Sequence, residues 1–444
     1  MLDSDVLGAG ESRPMIRTSW RLAAAFAVLV AAAPNDGGAQ AGSPRVFTGA
    51  RLFDGSRTID NATLVVKDGR IVSAGSGATV PAGAERVDLA GRFVMPGLVN
   101  AHGHVGGTRG LRSGAELYSR QNVLDQLRLY ARYGVTTVVS LGDDREEGFR
   151  VRDEQDTPSL DRARLYVAGP VVDATTPEAA RGQVAALADR KVDWVKIRVD
   201  DTLGTTPKMA PAVYQAVIDE SHKRGLRVAA HLFYLEDAQG LLAAGVDFIA
   251  HSVRDKPVDP AFVAALAKRG TCLCPTLMRE VSAFTYADEP AFFSDPFFLK
   301  HADPAVVAEL RSPERRERVR ANPASARYRE ALRTASLNLK SLVDGGATIA
   351  FGTDTGPPAR FQGYFEHEEL RLMVEAGLTP QEALVAATSG AARCLGLKGL
   401  GRLEPGAWAD FLVLRADPLA DIRNTKSLES VWIAGNRVPE SDAR

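Results

Sequence analysis

The fold class this sequence predicts is a (β/α)₈ TIM barrel carrying a small β-sandwich built from the two ends of the chain. Three observations predict it. Eight short apolar runs alternate with helix-like stretches through the middle, both ends show period-two strands punctuated by turns, and histidines with one aspartate recur where the central runs stop. At 444 residues there is room for a barrel of about 250 residues or more plus an accessory module.

Residues 1–41 read as a leader. Met15-Ile-Arg-Thr-Ser-Trp-Arg21 is a cationic start, 22–33 an unbroken apolar run, and Ala39-Gln-Ala41 an A-x-A cleavage site. That order describes a secretory signal peptide beginning at Met15, and its apolar run is too short for a stable bilayer anchor. The mature chain is expected to start near Gly42, to be exported (periplasmic or secreted) and to keep no membrane span.

Arg45-Val-Phe-Thr-Gly-Ala-Arg-Leu-Phe-Asp54 predicts a strand bent at Gly49. Residues 62–67 and 70–75, joined by Asp68-Gly69, predict a hairpin, and 85–93 a further strand. Residues 408–414 and 430–435 repeat the pattern. Because chain ends commonly lie close together, 42–95 and 400–444 are expected to share one β-sandwich, with the barrel, 96–399, as a separate body. Barrel strands are expected at 98–101, 135–139, 165–168, 194–199, 226–230, 247–250, 271–275 and 347–351. Helices are expected at 121–133, 211–224, 235–244 and 260–269. Repeated strand–helix units imply parallel strands, and eight imply closure.

Between the seventh and eighth strands lies an insertion, about 277–338, opening on the aromatic stretch Phe284-Thr-Tyr-Ala-Asp-Glu-Pro-Ala-Phe-Phe-Ser-Asp-Pro-Phe-Phe298. A βα insertion of this length lies over the active-site face as a lid or substrate wall; a dimer contact or plain packing is the alternative. The cysteines, Cys272, Cys274 and Cys394, are too few for a zinc ribbon or disulfide framework and read as buried free thiols. A formal net charge of -1 leaves no basic excess for nucleic acid.

His102 and His104 stand two apart at the end of the first barrel strand. Period two puts both side chains on one face, and two imidazoles so placed chelate a cation, Zn²⁺ favouring such nitrogen ligands. His231 ends the fifth strand, His251 the sixth, and Asp354 follows the eighth. Any one alone is as readily a satisfied histidine or a capping aspartate. All five at C-terminal strand ends converge where active sites of this fold sit. Lys196 alternates with Val195 and Ile197 and so faces inward with Trp194 and Arg198. A buried amine loses its proton readily and adds to CO₂, giving a carbamate able to bridge two metals; the alternative is an ion pair with Asp200 or Asp201. His222 and His301 read as surface residues.

Pro96-Gly-Leu-Val-Asn-Ala-His-Gly-His104, Lys196, His231, Gly245-Val-Asp-Phe-Ile-Ala-His251 and Gly352-Thr-Asp-Thr355 together resemble the amidohydrolase superfamily. The closer likeness is to its imidazolonepropionase-like and Xaa-Pro dipeptidase-like members, and 368–370, 376–383 and 401–410 fit the same group. The resemblance spans roughly 46–436. It implies two divalent metal ions, zinc by donor type, with His102, His104 and Asp354 on the deeper one. His231 and His251 would hold the outer one, and carbamylated Lys196 would bridge them. It further implies a metal-bridging hydroxide as nucleophile, with Asp354 as the catalytic residue that takes its proton and passes it to the leaving amine.

Related deaminases carry a glutamate three residues after the strand-five histidine; Tyr234 stands there instead, which argues against base deamination. Imidazolone hydrolases use one metal and lack the bridging lysine, so Lys196 points to an amide or peptide C–N bond. Arg198, Arg254, Arg360 and Tyr364 lie just beyond strand ends, where a guanidinium can grip a ligand carboxylate. With Tyr234 and His367 they are the candidate substrate contacts, suiting a small dipeptide or N-acyl amino acid. A lactonase or phosphotriesterase on the same metals and a non-catalytic metal-binding scaffold are the rival readings, and a homo-oligomer is left open.

Overall fold

The computed structural model describes residues 43–441, so the expected leader, 1–41, lies outside the described residues. Among the described residues no helix is long and apolar enough to cross a membrane.

The strand Arg45–Phe53 bends at Gly49, where φ is +83° and the register against Thr58–Lys67 shifts between Thr48 and Ala50. Thr58–Lys67 then turns into Arg70–Gly75 across Asp68 and Gly69, at φ +50° and +77°. Two consecutive left-handed residues give the twist that a two-residue hairpin loop needs. Phe93–Pro96 runs parallel to Arg45–Phe53, and its other edge pairs antiparallel with Phe411–Leu414, which pairs in turn with Leu428–Ile433. Both ends of the chain thus contribute to one eight-stranded sheet. Phe47 packs edge-on against Phe411 and Trp432, whose own rings stack at 5.7 Å, and this apolar cluster covers one face of the sheet.

The middle of the chain is a TIM-barrel-like α/β fold. Leu98–Gly103, Val135–Ser140 and Arg164–Val167 form one parallel sheet; Val195–Val199, Val228–Leu232, Phe248–Ile249 and Cys272–Leu273 form another. Val172 bridges to Ile197 between them. Segment 347–351 is not a ladder strand. It lies between single bridges, Leu273 to Ile349 and Gly103 to Thr355, with Ala101 N donating to Phe351 O at 2.8 Å. Around the strands, Arg120–Arg132 starts at Ser119, whose hydroxyl accepts from Asn122 N, Pro211–Lys223 and Pro260–Arg269 start on prolines, and Leu235–Ala244 ends at left-handed Gly245.

Alternate strand positions, including Val99, Val139, Trp194, Ala229, Phe248 and Ala350, cluster with residues of the helix Ala391–Leu395. Lys196 and His231 stand two residues beyond Trp194 and Ala229, hence on the same faces. One expectation fails here: Cys272 is not a free thiol but is disulfide-bonded to Cys394, because the strand and that helix meet; only Cys274 is free and buried.

The insertion is helical from Leu277–Ser282 through Pro323–Asp344. Most of its aromatic stretch packs inward, while Phe298 also lines the cavity that reaches Arg360. Tyr286, Phe293 and Phe298 are buried against Tyr133, Tyr364 and Phe365, with Tyr133 Oη donating to Phe298 O at 2.8 Å. Contact with the strand-end residues comes instead from its first helix, through Arg279 and Ser282.

Sheet and barrel are joined by a buried ion pair. Arg164 Nε donates to Asp410 Oδ2 at 2.8 Å, with 1% and 4% of the side chains exposed, and Asp410 Oδ1 accepts from Ala434 N. Removing one partner leaves the other charge buried and uncompensated. Asp410→Ala is therefore expected to cost about 3–5 kcal/mol in denaturant unfolding; a loss below about 1 kcal/mol, the range of exposed pairs, would show the pair to be dispensable.

Candidate metal centre

His102, His104 and Asp354 come together at the strand ends, their ligating atoms all within 4.8 Å of one another. His102 is buried, and its Nδ1 lies 2.8 Å from Ala250 O, so Nδ1 carries the proton and Nε2 is turned toward Asp354 Oδ1 at 3.6 Å and Lys196 Nζ at 3.4 Å. His104 Nε2 is 2.9 Å from the same carboxylate oxygen. Asp354 sits at φ +57°, a left-handed conformation that turns its side chain back over the first strand. Burial alone would raise its carboxyl, but Arg360, His102 and His104 outweigh burial and hold it well below the usual range.

His231, His251 and Lys196 adjoin this set. The His251 ring lies 4.7 Å from that of His102 and 4.2 Å from that of His231, centroid to centroid. His231 Nε2 is 2.7 Å from Asp200 Oδ2, and His251 Nδ1 is 2.7 Å from Thr276 Oγ1. In both rings one nitrogen is tied down and the other left over, and the leftover His251 Nε2 is buried with no hydrogen-bond partner. Burial pushes His102 and His251 well below the ordinary imidazole value and His231 to about 3, so these rings are neutral and keep a lone pair. Neutral imidazoles oriented by a second contact, an ionised carboxylate and an orphaned buried nitrogen fit a divalent cation. Lys196, 4% exposed, is lowered by burial to about 8, opposed only in part by Asp354.

Neither carboxylate weighed as the alternative partner of Lys196 pairs with it. Asp200 is taken by His231, and Asp201 accepts from the Tyr234 hydroxyl at 2.8 Å. Other expected substrate contacts are engaged elsewhere in the fold. His367 is buried with Nδ1 on Thr425 Oγ1 and Nε2 on Tyr133 O, so no ring nitrogen is left for a ligand. Tyr364 is buried in the aromatic cluster with its hydroxyl on Asp295 Oδ2. Arg254 is buried against Glu280 and the carbonyls of Leu232 and Ser252, bracing two strand ends. Arg198 is half exposed and donates to Thr202 Oγ1. Arg360 does reach the cluster, Nη1 lying 2.5 Å from Asp354 Oδ2.

Several residues that sequence reasoning passed over support the centre. Asn100 accepts from His102 N and donates to Thr353 Oγ1 and Glu366 Oε1, while the Thr353 and Thr355 hydroxyls donate to the same Glu366 oxygen. Glu366 is fully buried and pushed by desolvation from 4.5 to about 7. Arg279 Nε stands 4.0 Å from Asp354 Oδ2. Glu366, one turn before the Glu368-Glu369 pair, had a sequence signal; Arg279 had none. A cavity of about 460 Å³ opens beside His104, and another of about 330 Å³ reaches Arg360.

Residues 93–438 match the sequence model of the Amidohydrolase family. The chain is similar to the imidazolonepropionase of Streptomyces avermitilis, 27% identical over 399 residues that cover 86% of this chain and 87% of that protein. Among solved structures it is similar to a candidate prolidase of Bifidobacterium longum, with 27% identity and a TM-score of 0.70 over 89% of this chain and 94% of that one. It is also similar in fold to a Xaa-Pro dipeptidase with bound methionine in its active site, with 21% identity and a TM-score of 0.72 over 89% and 99%.

The protonation of Glu366 generates a test. Between about pH 4.5 and 7 the unfolded chain is ionised at this position while the folded chain holds the proton, so this group's contribution is complete at low pH and is lost as pH rises through the window. Glu366→Gln has no such proton. The stability of wild type relative to this variant is expected to fall from pH 5 to pH 8 in paired denaturant titrations, and a pH-independent difference would refute the assignment.

Proposed function

The chain belongs to the amidohydrolase family, a hydrolase acting on C–N bonds, and from that premise we propose an exported, binuclear enzyme that cleaves an amide or peptide bond of a small dipeptide or N-acyl amino acid. One observation carries the proposal: four histidines, three of them held neutral by burial, adjoin Lys196 and Asp354 at the strand ends, with His251 Nε2 buried and unpartnered. His102, His104 and Asp354 would hold one divalent cation, His231 and His251 the other. When bound, such cations acidify water and polarise a carbonyl.

The chain's own residues supply the rest. Ala250 O, Asp200 and Thr276 orient the rings of His102, His231 and His251. Arg360, on Asp354 Oδ2, keeps the carboxylate ionised and directed, ready to take a proton from the attacking water and return it to the leaving nitrogen. Lys196, at about 8, is partly neutral near neutral pH. Its nitrogen can add to the carbon of CO₂ and release a proton, leaving a carboxylate between the two histidine pairs. The fold is read as a closed eight-stranded barrel with a terminal sandwich. Export is supported by the leader pattern and by the Cys272–Cys394 disulfide, since such bonds persist in oxidising compartments.

Two outcomes are expected. Wild-type protein should carry two zinc-type metals per chain by elemental analysis and turn over dipeptides or N-acyl amino acids in preference to lactones and phosphotriesters; one metal per chain would overturn the binuclear centre. Lys196→Ala should lower the metal content and abolish most activity, whereas unchanged metal and turnover would sink the carbamate.

A further inference from the structure

The cavity beside His104 has a rim that the hydrolytic machinery does not use, the loop after the second barrel strand. Asp144 pins this loop: it is buried, and its Oδ2 accepts from Ala168 N and Gly169 N at 2.9 and 3.0 Å. Gly142, at φ +124°, precedes it because a Cβ there would lie 2.6 Å from Val171 Cγ2. Asp143 and Arg145 flank the anchor. Both are exposed, both line the cavity with His104, and neither side chain has an ion-pair or hydrogen-bond partner among the described residues. The Tyr118 hydroxyl also lines the cavity, buried and with no well-formed hydrogen bond.

Resting on the amidohydrolase reading, we propose that this loop selects a zwitterionic dipeptide, Asp143 taking the α-ammonium and Arg145 the α-carboxylate. Two opposite, unpaired charges on a rigid rim are a recognition device for a ligand carrying both. Both side chains lie on one loop, either side of the Asp144 anchor, at the rim of a single cavity, so one small ligand can meet both. The peptide would lie along the rim with its central amide facing His104. An N-acyl amino acid offers nothing to Asp143, and an amino acid amide nothing to Arg145.

The probe is a ketomethylene dipeptide isostere, which keeps both charged ends and cannot be hydrolysed. It is titrated calorimetrically into the metal-loaded chain beside its N-acetylated and C-amidated forms. The free isostere should bind roughly 10- to 100-fold more tightly than either blocked form, the worth of one charge-assisted hydrogen bond. Arg145→Met should erase only the preference for acid over amide. Asp143→Asn, which tolerates the left-handed φ of +65° at this position, should erase only the preference for amine over acetyl. Equal binding of all three forms, no binding, or a variant that weakens all three alike would overturn the proposal. Charge-selective binding without hydrolysis of the matching dipeptide would instead overturn the dipeptide-cleaving reading and leave the subsite standing.

Discussion

The site depends on burying imidazoles without charging them. At the strand ends His102 and His251 are sealed from solvent, and in that environment a protonated ring is too costly to keep. Each ring then has one donor and one acceptor nitrogen, and the fold ties one nitrogen to a fixed protein oxygen: Ala250 O for His102, Thr276 Oγ1 for His251, Asp200 Oδ2 for His231. The remaining lone pairs have nowhere to go but into the shared space. Ring orientation, protonation state and convergence are therefore one condition, and losing any of the three oxygens would disturb all of them.

Charge around this neutral core is balanced at its edge. Asp354 is the carboxylate of the three-residue cluster, and it offers one oxygen to His104 and the other to Arg360, with Arg279 behind. Beneath it Glu366 gathers hydrogen bonds from Asn100, Thr353 and Thr355 yet is pushed toward its neutral form, so the support adds little negative charge of its own. The insertion joins this balance only through its first helix; most of its aromatic mass is spent on packing.

The sequence made legible what depends on short-range period. The His102/His104 spacing, the strand-end positions of His231 and His251, the bend at Gly49 and the Asp68-Gly69 turn all follow from local geometry. What escaped were pairings set by three-dimensional approach. Asp200 looked like a partner for Lys196 because both belong to one strand segment, but a neighbouring parallel strand brings His231 to it instead. Cys272 finds Cys394 across 122 residues, which no spacing rule anticipates. His367 and Tyr364 lie on the helix Tyr364–Glu375, which faces the insertion and the C-terminal segment, so proximity in sequence to Asp354 misled.

The strand Phe93–Pro96 has one neighbour near the start of the chain and another, Phe411–Leu414, about 300 residues later. During synthesis its second edge stays unpaired until nearly the whole polypeptide has emerged. Contacts of such long sequence separation form slowly, so the terminal sheet closes last and the chain passes most of its assembly incomplete. A polypeptide unable to finish its own core early stays extensible through most of its synthesis, and its topology itself acts as the timer.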